Sequence, residues 1–122
     1  MKPSSRKAKG RLLQQAICKI IAEGIPGLTP DDVVSRPMGS PGSDCIMSPL
    51  AQKLFPVTTE CKNTKKQPGP EALEQANFNC YEGTVPCVAW KPPRKGMEDS
   101  IAIMKYSDLV RLVNLLKKQN GS

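Results

Sequence analysis

Glu60 and Cys61 end, and Lys62 follows, a β-rich run, Val57 to Cys61, that reads as a central strand. Alternate residues of a strand share a face, so Glu60 and Lys62 point one way and Cys61 the other. Val57, Thr59 and Cys61 are then expected in the core, with Thr58, Glu60 and Lys62 facing a cleft. A carboxylate beside an ammonium has two readings. One is a surface ion pair worth about 0–1 kcal/mol. The other is an acid that holds a cation and a lysine that steadies charge developing on a phosphate. Asp44 lies sixteen residues earlier, after a Gly/Pro/Ser-rich run, and heads the short apolar segment Cys45-Ile46-Met47. As a turn residue it would bond its own backbone. Returned through residues 48–56 to lie beside Glu60, it would form a carboxylate pair that resists ionisation unless a cation intervenes. Mg²⁺ suits such a pair, because it takes oxygen ligands from one or two carboxylates and keeps several waters. A water on that ion is acidified and becomes nucleophilic.

Composition narrows the chemistry. The chain has 122 residues and no histidine. Ser-His-Asp and Cys-His catalysis, HEXXH zinc sites and His-based nucleases are therefore excluded. The length fits one domain with one core, spanning 1–122, with residues 1–5 read as a mobile tail. No apolar run reaches the roughly 18 residues of a membrane span, and the basic N-terminus is read as no secretory signal. The five cysteines (Cys18, Cys45, Cys61, Cys80 and Cys87) include no C-x-x-C pair and read as small buried hydrophobes in a reducing compartment. Eighteen Lys and Arg against eleven Asp and Glu give a net charge of +7, which suggests a polyanionic partner. The basic residues gather near 2–11, 62–66 and 91–95.

The elements that must position these groups follow from periodicity and punctuation. From about Arg6, the apolar residues Leu13, Ala16, Ile17, Ile20 and Ile21 make one helical stripe, ended by Gly24 and Pro26. Val33 to Arg36 reads as a short strand, and residues 37–43 as an irregular turn. Ser48-Pro49 opens a brief helix over 50–54, before the Val57–Cys61 strand. Pro70 opens a helix to about Tyr81, with Gly83 suited to its C-terminal cap. Val85 to Trp90 and Ile101 to Met104 read as strands. Ser107 is expected to cap a last amphipathic helix with Leu109, Leu112, Val113 and Leu116 on one side. The result is an α/β layer with a central mixed sheet, in the order α-β-β-β-α-β-β-α.

Asp44, a spacer, then Glu60-x-Lys62 resembles the PD-(D/E)XK nuclease superfamily. More narrowly, the chain is similar to small phage-encoded resolvase-type members, archaeal Holliday junction resolvases and stand-alone VRR-NUC domains. The likeness runs from Lys9-Gly10-Arg11 and the turn before Asp44, through Phe55-Pro56 and Glu60-Cys61-Lys62-Asn63. It continues into Ala72-Leu73-Glu74-Gln75-Ala76 and Pro86-Cys87-Val88-Ala89-Trp90-Lys91. The resemblance implies a restriction-endonuclease-like core. It makes Asp44, Glu60 and the Cys61 carbonyl ligands of Mg²⁺, with Mn²⁺ as a substitute. Lys62 becomes the catalytic lysine, and Gln75 a residue facing phosphate or water. Lys7, Lys9, Arg11, Lys65, Lys66 and Lys91 would flank the cleft and track a duplex backbone. Two positions depart from the pattern. Gln14, four residues past Gly10, stands where archaeal resolvases carry a glutamate, and Ser43 precedes Asp44 in place of proline.

The expected activity is Mg²⁺-dependent hydrolysis of phosphodiesters in branched DNA by a cytoplasmic homodimer, in a bacterial or phage-infected cell and in DNA recombination. A junction presents two strands to cut, which calls for twofold symmetry. The alternative is a non-catalytic DNA-binding accessory protein that keeps the fold. A third reading leaves E-x-K as a salt bridge in a small basic protein.

Overall fold

The computed structural model describes residues 3–119. Helix α1 spans Pro3–Gly24. Proline fits a first helical turn because its missing N–H has no partner there in any case. The helix thus begins before Arg6. Of the expected tail 1–5, residues 1 and 2 lie outside the described residues, and 3–5 form the opening turn. The buried stripe is rotated from the expected one. Leu13, Ile17, Cys18, Ile21 and Ala22 are buried, whereas Ile20 is exposed.

A single 3-10 turn, Pro30–Asp32, leads into β1, Val33–Ser35, which pairs antiparallel with β2, Cys45–Met47. The Thr29 and Asp32 side chains close a capping box at that turn, and Ser48 Oγ donates to Asp32 Oδ1 at 2.8 Å. Ser48 then caps the six-residue helix α2, Pro49–Leu54, by accepting from the Ala51 N–H.

A second sheet has the order β3-β4-β5. Strand β3, Val57–Lys62, runs parallel to β4, Val85–Trp90, with Glu60 opposite Val88 and Lys62 opposite Trp90. Strand β5, Ile101–Ile103, pairs antiparallel with β4. Helix α3, Pro70–Phe78, connects β3 to β4, and α4, Tyr106–Gln119, follows β5. The expected single central sheet is therefore two small sheets, of two and three strands, flanked by helices. The element order matches the expected one, with the brief helix expected over 50–54 present as α2 and two 3-10 turns besides.

The three-stranded sheet is covered on both faces. Ala72 and Ala76 of α3 pack on Val88 from one side. On the other side Leu112 and Leu115 of α4 pack on Val57, Val85 and Cys87, while Ala89 and Cys61 join the α1 cluster around Leu13. Burial on both faces explains the unbroken apolar character of β4. It also corrects one expectation. Thr58 shares the α3 face with Glu60 but does not face a cleft; it is buried and its hydroxyl pairs with that of Thr84 at 2.7 Å.

The expected helix ends are displaced. Helix α3 stops at Phe78, and Tyr81 lies in the turn beyond it. Ser107 lies inside the first turn of α4, and the Asp108 and Leu109 amides bond the Lys105 carbonyl. The inward residues of α4 are Leu112 and Leu115, leaving Leu109, Val110 and Val113 exposed. All five cysteines are free, with the Cys18 and Cys45 thiols 3.0 Å apart. Among the described residues, no helix is long and apolar enough to cross a membrane.

Leu13 is fully buried at the centre of the α1 cluster. Leu13→Ala should lower stability by about 2–5 kcal/mol, read as a lower urea midpoint with an unchanged slope. A loss below about 1 kcal/mol would mean that the cavity collapses and that Leu13 does not organise this core.

Candidate active site

Strand β3, expected as a central strand, instead lies at the edge of its sheet because β2 forms a separate sheet with β1, and its backbone direction decides what meets that edge. The Pro56 carbonyl accepts from Val85 and the Lys62 carbonyl from Lys91, so even-numbered residues turn their backbone groups toward β4. N–H and C=O of one strand residue point the same way. Cys61 therefore turns its N–H and its carbonyl to the open edge. There the N–H donates to Asp44 Oδ2 at 2.6 Å.

The turn before Asp44 is built to deliver that carboxylate. Arg36 N–H donates to the Asp44 carbonyl at 2.9 Å, closing the β1–β2 hairpin. Arg36 Nε donates to the Ser43 carbonyl at 2.6 Å, and Ser43 Oγ to the Cys45 carbonyl at 2.8 Å. The guanidinium lies over Gly42, where a Cβ would approach it to 2.5 Å, and Gly42 has φ +121°. Glycine meets both demands.

Glu60 is 4% exposed, and its Oε2 has no hydrogen-bond partner. Burial, the nearby Asp44 charge and a hydrogen bond with Asp44 push its carboxyl up to about 7, against the pull of the Lys62 ammonium. Lys62 Nζ donates to Gln75 Oε1 at 3.2 Å. Gln75 reaches it from the exposed side of α3, whose Ala72 and Ala76 sit tight against the sheet. Asp44, Glu60, Lys62 and Gln75 are thus brought together from a hairpin, a strand edge and a helix.

The donor set suits a hard cation. It offers an orphaned buried carboxylate oxygen, a second carboxylate beside it, and the Cys61 carbonyl turned to the same edge. Among the described residues, no group of three or more His, Cys, Asp or Glu side chains forms a metal site. Two carboxylates, a carbonyl and waters match the habits of Mg²⁺ better than those of Zn²⁺.

Two depressions flank Lys62, and both are lined by Lys62 and Thr64. The larger, about 580 Å³, is bordered by Arg6, Lys9, Asn63 and Lys65. The smaller, about 390 Å³, is bordered by Lys66, Gln67, Glu71 and Gln75. Neither Asp44 nor Glu60 lines them, although Cys61 lines the larger. Asn63 Nδ2 donates to the Lys9 carbonyl at 3.3 Å, and Trp90 Nε1 to the Thr64 carbonyl at 2.9 Å, pinning the basic loop from two sides.

The sequence-based DNA contacts divide accordingly. Lys9, Lys65 and Lys66 border the depressions. Lys7 and Arg11 are exposed on a neighbouring face of α1, outside both linings. Lys91 is half-buried, and its ammonium donates to the Pro92 carbonyl at 3.3 Å. Arg6 was not among the expected contacts, yet its three-residue spacing from Lys9 puts both on one helix face. Gln14 is buried and accepts from Ser35 Oγ at 3.3 Å, tying α1 to β1. The salt-bridge reading of E-x-K lacks its bond, since the ion pairs formed among the described residues are Lys19–Glu23 and Arg111–Asp108.

No family model, curated protein or solved structure matches this chain.

The raised carboxyl of Glu60 gives a signed pH test. Its folded value, about 7, lies above its ordinary 4.5, so the folded chain holds this proton more tightly than the unfolded chain. That contribution is complete below about 4.5 and is lost as pH rises through about 7. Without divalent cations, Glu60→Gln should melt about 5 °C above the parent protein at pH 8, with the gain vanishing near pH 4. Calorimetry at both pH values checks this; an equal difference at each would mean a solvated carboxyl.

Proposed function

We propose that this chain is a metal-dependent endodeoxyribonuclease of the PD-(D/E)XK type, hydrolysing phosphodiester bonds in branched DNA as a Holliday junction resolvase does. One observation carries the reading: Asp44 and the buried, half-orphaned Glu60 meet at an open strand edge beside Lys62. On this reading β3, β4, β5 and their helices are the core of a restriction-endonuclease-like fold. Asp44, Glu60 and the Cys61 carbonyl would hold Mg²⁺, or Mn²⁺ in its place. When bound, the ion supplies a nucleophile at neutral pH and offsets charge on the phosphate.

The chain's own residues do the rest. Gln75 fixes the Lys62 ammonium at 3.2 Å, preorganised toward the developing phosphate charge. Arg6, Lys9 and Lys65 hold the backbone on one side of Lys62, and Lys66 on the other. Such contacts position a duplex without reading its sequence. The exposed apolar residues Leu109, Val110 and Val113 of α4, with Ile101 on the outer strand β5, support a second copy of the chain as partner. The proposed setting is the cytoplasm of a bacterial or phage-infected cell.

Gln14 favours a second reading. Because it is engaged with Ser35, the site has two carboxylates without a third from α1, as a DNA-binding accessory protein that has lost catalysis would.

A labelled four-way junction, a linear duplex and plasmid DNA, each with Mg²⁺, Mn²⁺ or EDTA, separate the two. The nuclease reading expects paired symmetric nicks in the junction with either metal and none with EDTA. Glu60→Gln and Lys62→Ala should cut at least about 100-fold more slowly while binding the junction within a few-fold of the parent. Tight binding with no cleavage under any metal supports the accessory protein and overturns the nuclease. In the same binding assay, the Arg6→Ala/Lys9→Ala double variant should flatten the plot of log affinity against log salt by about 2. Lys7→Ala/Arg11→Ala should flatten it less. An equal effect of the two pairs would remove the larger depression from the DNA path.

A further inference from the structure

Strands β2 and β3 belong to different sheets, so no ladder fixes the distance between Asp44 and Glu60. The hairpin spends the backbone groups of its even-numbered residues on β1. The Asp44 carbonyl accepts from Arg36, and the Ser48 N–H donates to the Asp32 carbonyl. Cys45 and Met47 therefore turn their backbone groups away from β1. Two of these groups meet one side-chain atom. The Met47 N–H donates to the Tyr81 hydroxyl at 3.3 Å, and that hydroxyl donates to the Cys45 carbonyl at 3.4 Å.

The other end of Tyr81 is anchored to the catalytic sheet. Its N–H donates to Thr58 Oγ1 at 3.0 Å, two residues from Glu60 on the same face of β3. Its carbonyl accepts from Thr84 Oγ1 at 2.7 Å, and the Thr58 and Thr84 hydroxyls pair with each other, both buried. The ring packs against the core cluster that contains Cys45 and Met47. Tyr81 is thus a strut with its backbone on β3 and on Thr84, just before β4, and its hydroxyl on β2, one residue from Asp44.

We infer that Tyr81 is the positioning residue that sets the approach of Asp44 to Glu60, and through it the affinity of the site for a divalent cation. This rests on the nuclease reading above. Tyr81 touches neither carboxylate. Its hydroxyl completes the edge of β2 as the Asp44 carboxylate completes the edge of β3, and removing it frees the strand that carries Asp44.

The test is Tyr81→Phe, which keeps the packed ring and deletes the hydroxyl. Amide exchange followed by NMR should show the Cys61 N–H exchanging at least about 10-fold faster, with the β3–β4 ladder amides of Glu60 and Ala89 unchanged. Mn²⁺ binding, followed by its paramagnetic resonance, should weaken about 10-fold. The Mg²⁺ concentration for half-maximal junction cleavage should rise by the same factor, with the rate at saturating Mg²⁺ within about twofold of the parent. A wild-type exchange rate at Cys61 overturns the inference whatever the cleavage assay gives. So does faster exchange with unchanged Mn²⁺ affinity, or a uniform rise across all strand amides, since Tyr81 would then only stabilise the fold. Failure of the nuclease reading looks different: the parent protein itself neither binds Mn²⁺ nor cuts, and the inference about cation affinity falls with it.

Discussion

The bond from the Cys61 N–H to the Asp44 carboxylate joins the two sheets, and the site depends on it. An edge strand leaves a row of unpaired N–H and C=O groups. Here a carboxylate takes the place of a neighbouring strand, and the same act places a second negative group against Glu60. The conflict is written into Glu60, whose carboxyl is pushed up to about 7 by burial and by Asp44, and whose Oε2 has no partner. Replacing Glu60 with an apolar residue would remove that conflict, whereas replacing Asp44 would leave the Cys61 N–H without its acceptor.

Packing keeps the conflict from relaxing. Glu60 shares its face of β3 with Thr58 and lies beside Val88, under a helix whose Ala72 and Ala76 allow close approach. Small side chains there let α3 sit low enough for Gln75 to reach Lys62. On the other face, α1 and α4 divide the sheet between them, α1 near the Cys61 end of β3 and α4 near Val57. The Cys61 end of the strand therefore meets the same helix that carries Arg6 and Lys9.

Much of this was legible in the residues. The β-branched run over 57–61 and the apolar run over 85–90 locate β3 and β4, though not that β3 is an edge strand, and strand alternation alone places Glu60 and Lys62 on one face. Other features were hidden, for physical reasons. Alternation distinguishes two faces but not a cleft from a helix-covered interior, so Thr58 is buried where an open face was expected. Local patterns also say nothing about what satisfies a strand edge. The missing ladder between β2 and β3 is filled by Asp44 and Tyr81, which are distant in sequence from the groups they meet. Tyr81 looked like the last residue of a helix because α3 was extended through it; the chain leaves the helix at Phe78. The basic residues of α1 were grouped by proximity in sequence, whereas the 100° step of a helix separates Lys7 and Arg11 from Arg6 and Lys9.

The charge pattern divides the labour of the proposed nuclease. The acidic pair sits at the strand edge with Glu60 buried, while the cations line open depressions on either side of Lys62. Phosphate affinity then comes from Arg6, Lys9, Lys65 and Lys66 through counterion release, a contribution that requires no metal. The carboxylates add little to that affinity, since two negative groups near a phosphate oppose its approach until a cation offsets them. On that reading binding and cleavage rest largely on separate groups, with Lys62, which like Thr64 lines both depressions, adjacent to the acids. On the same reading a polyanion can be held by this surface before the acids carry a cation, and cleavage waits on Asp44 and Glu60 together with Lys62, which lies between them and the depressions.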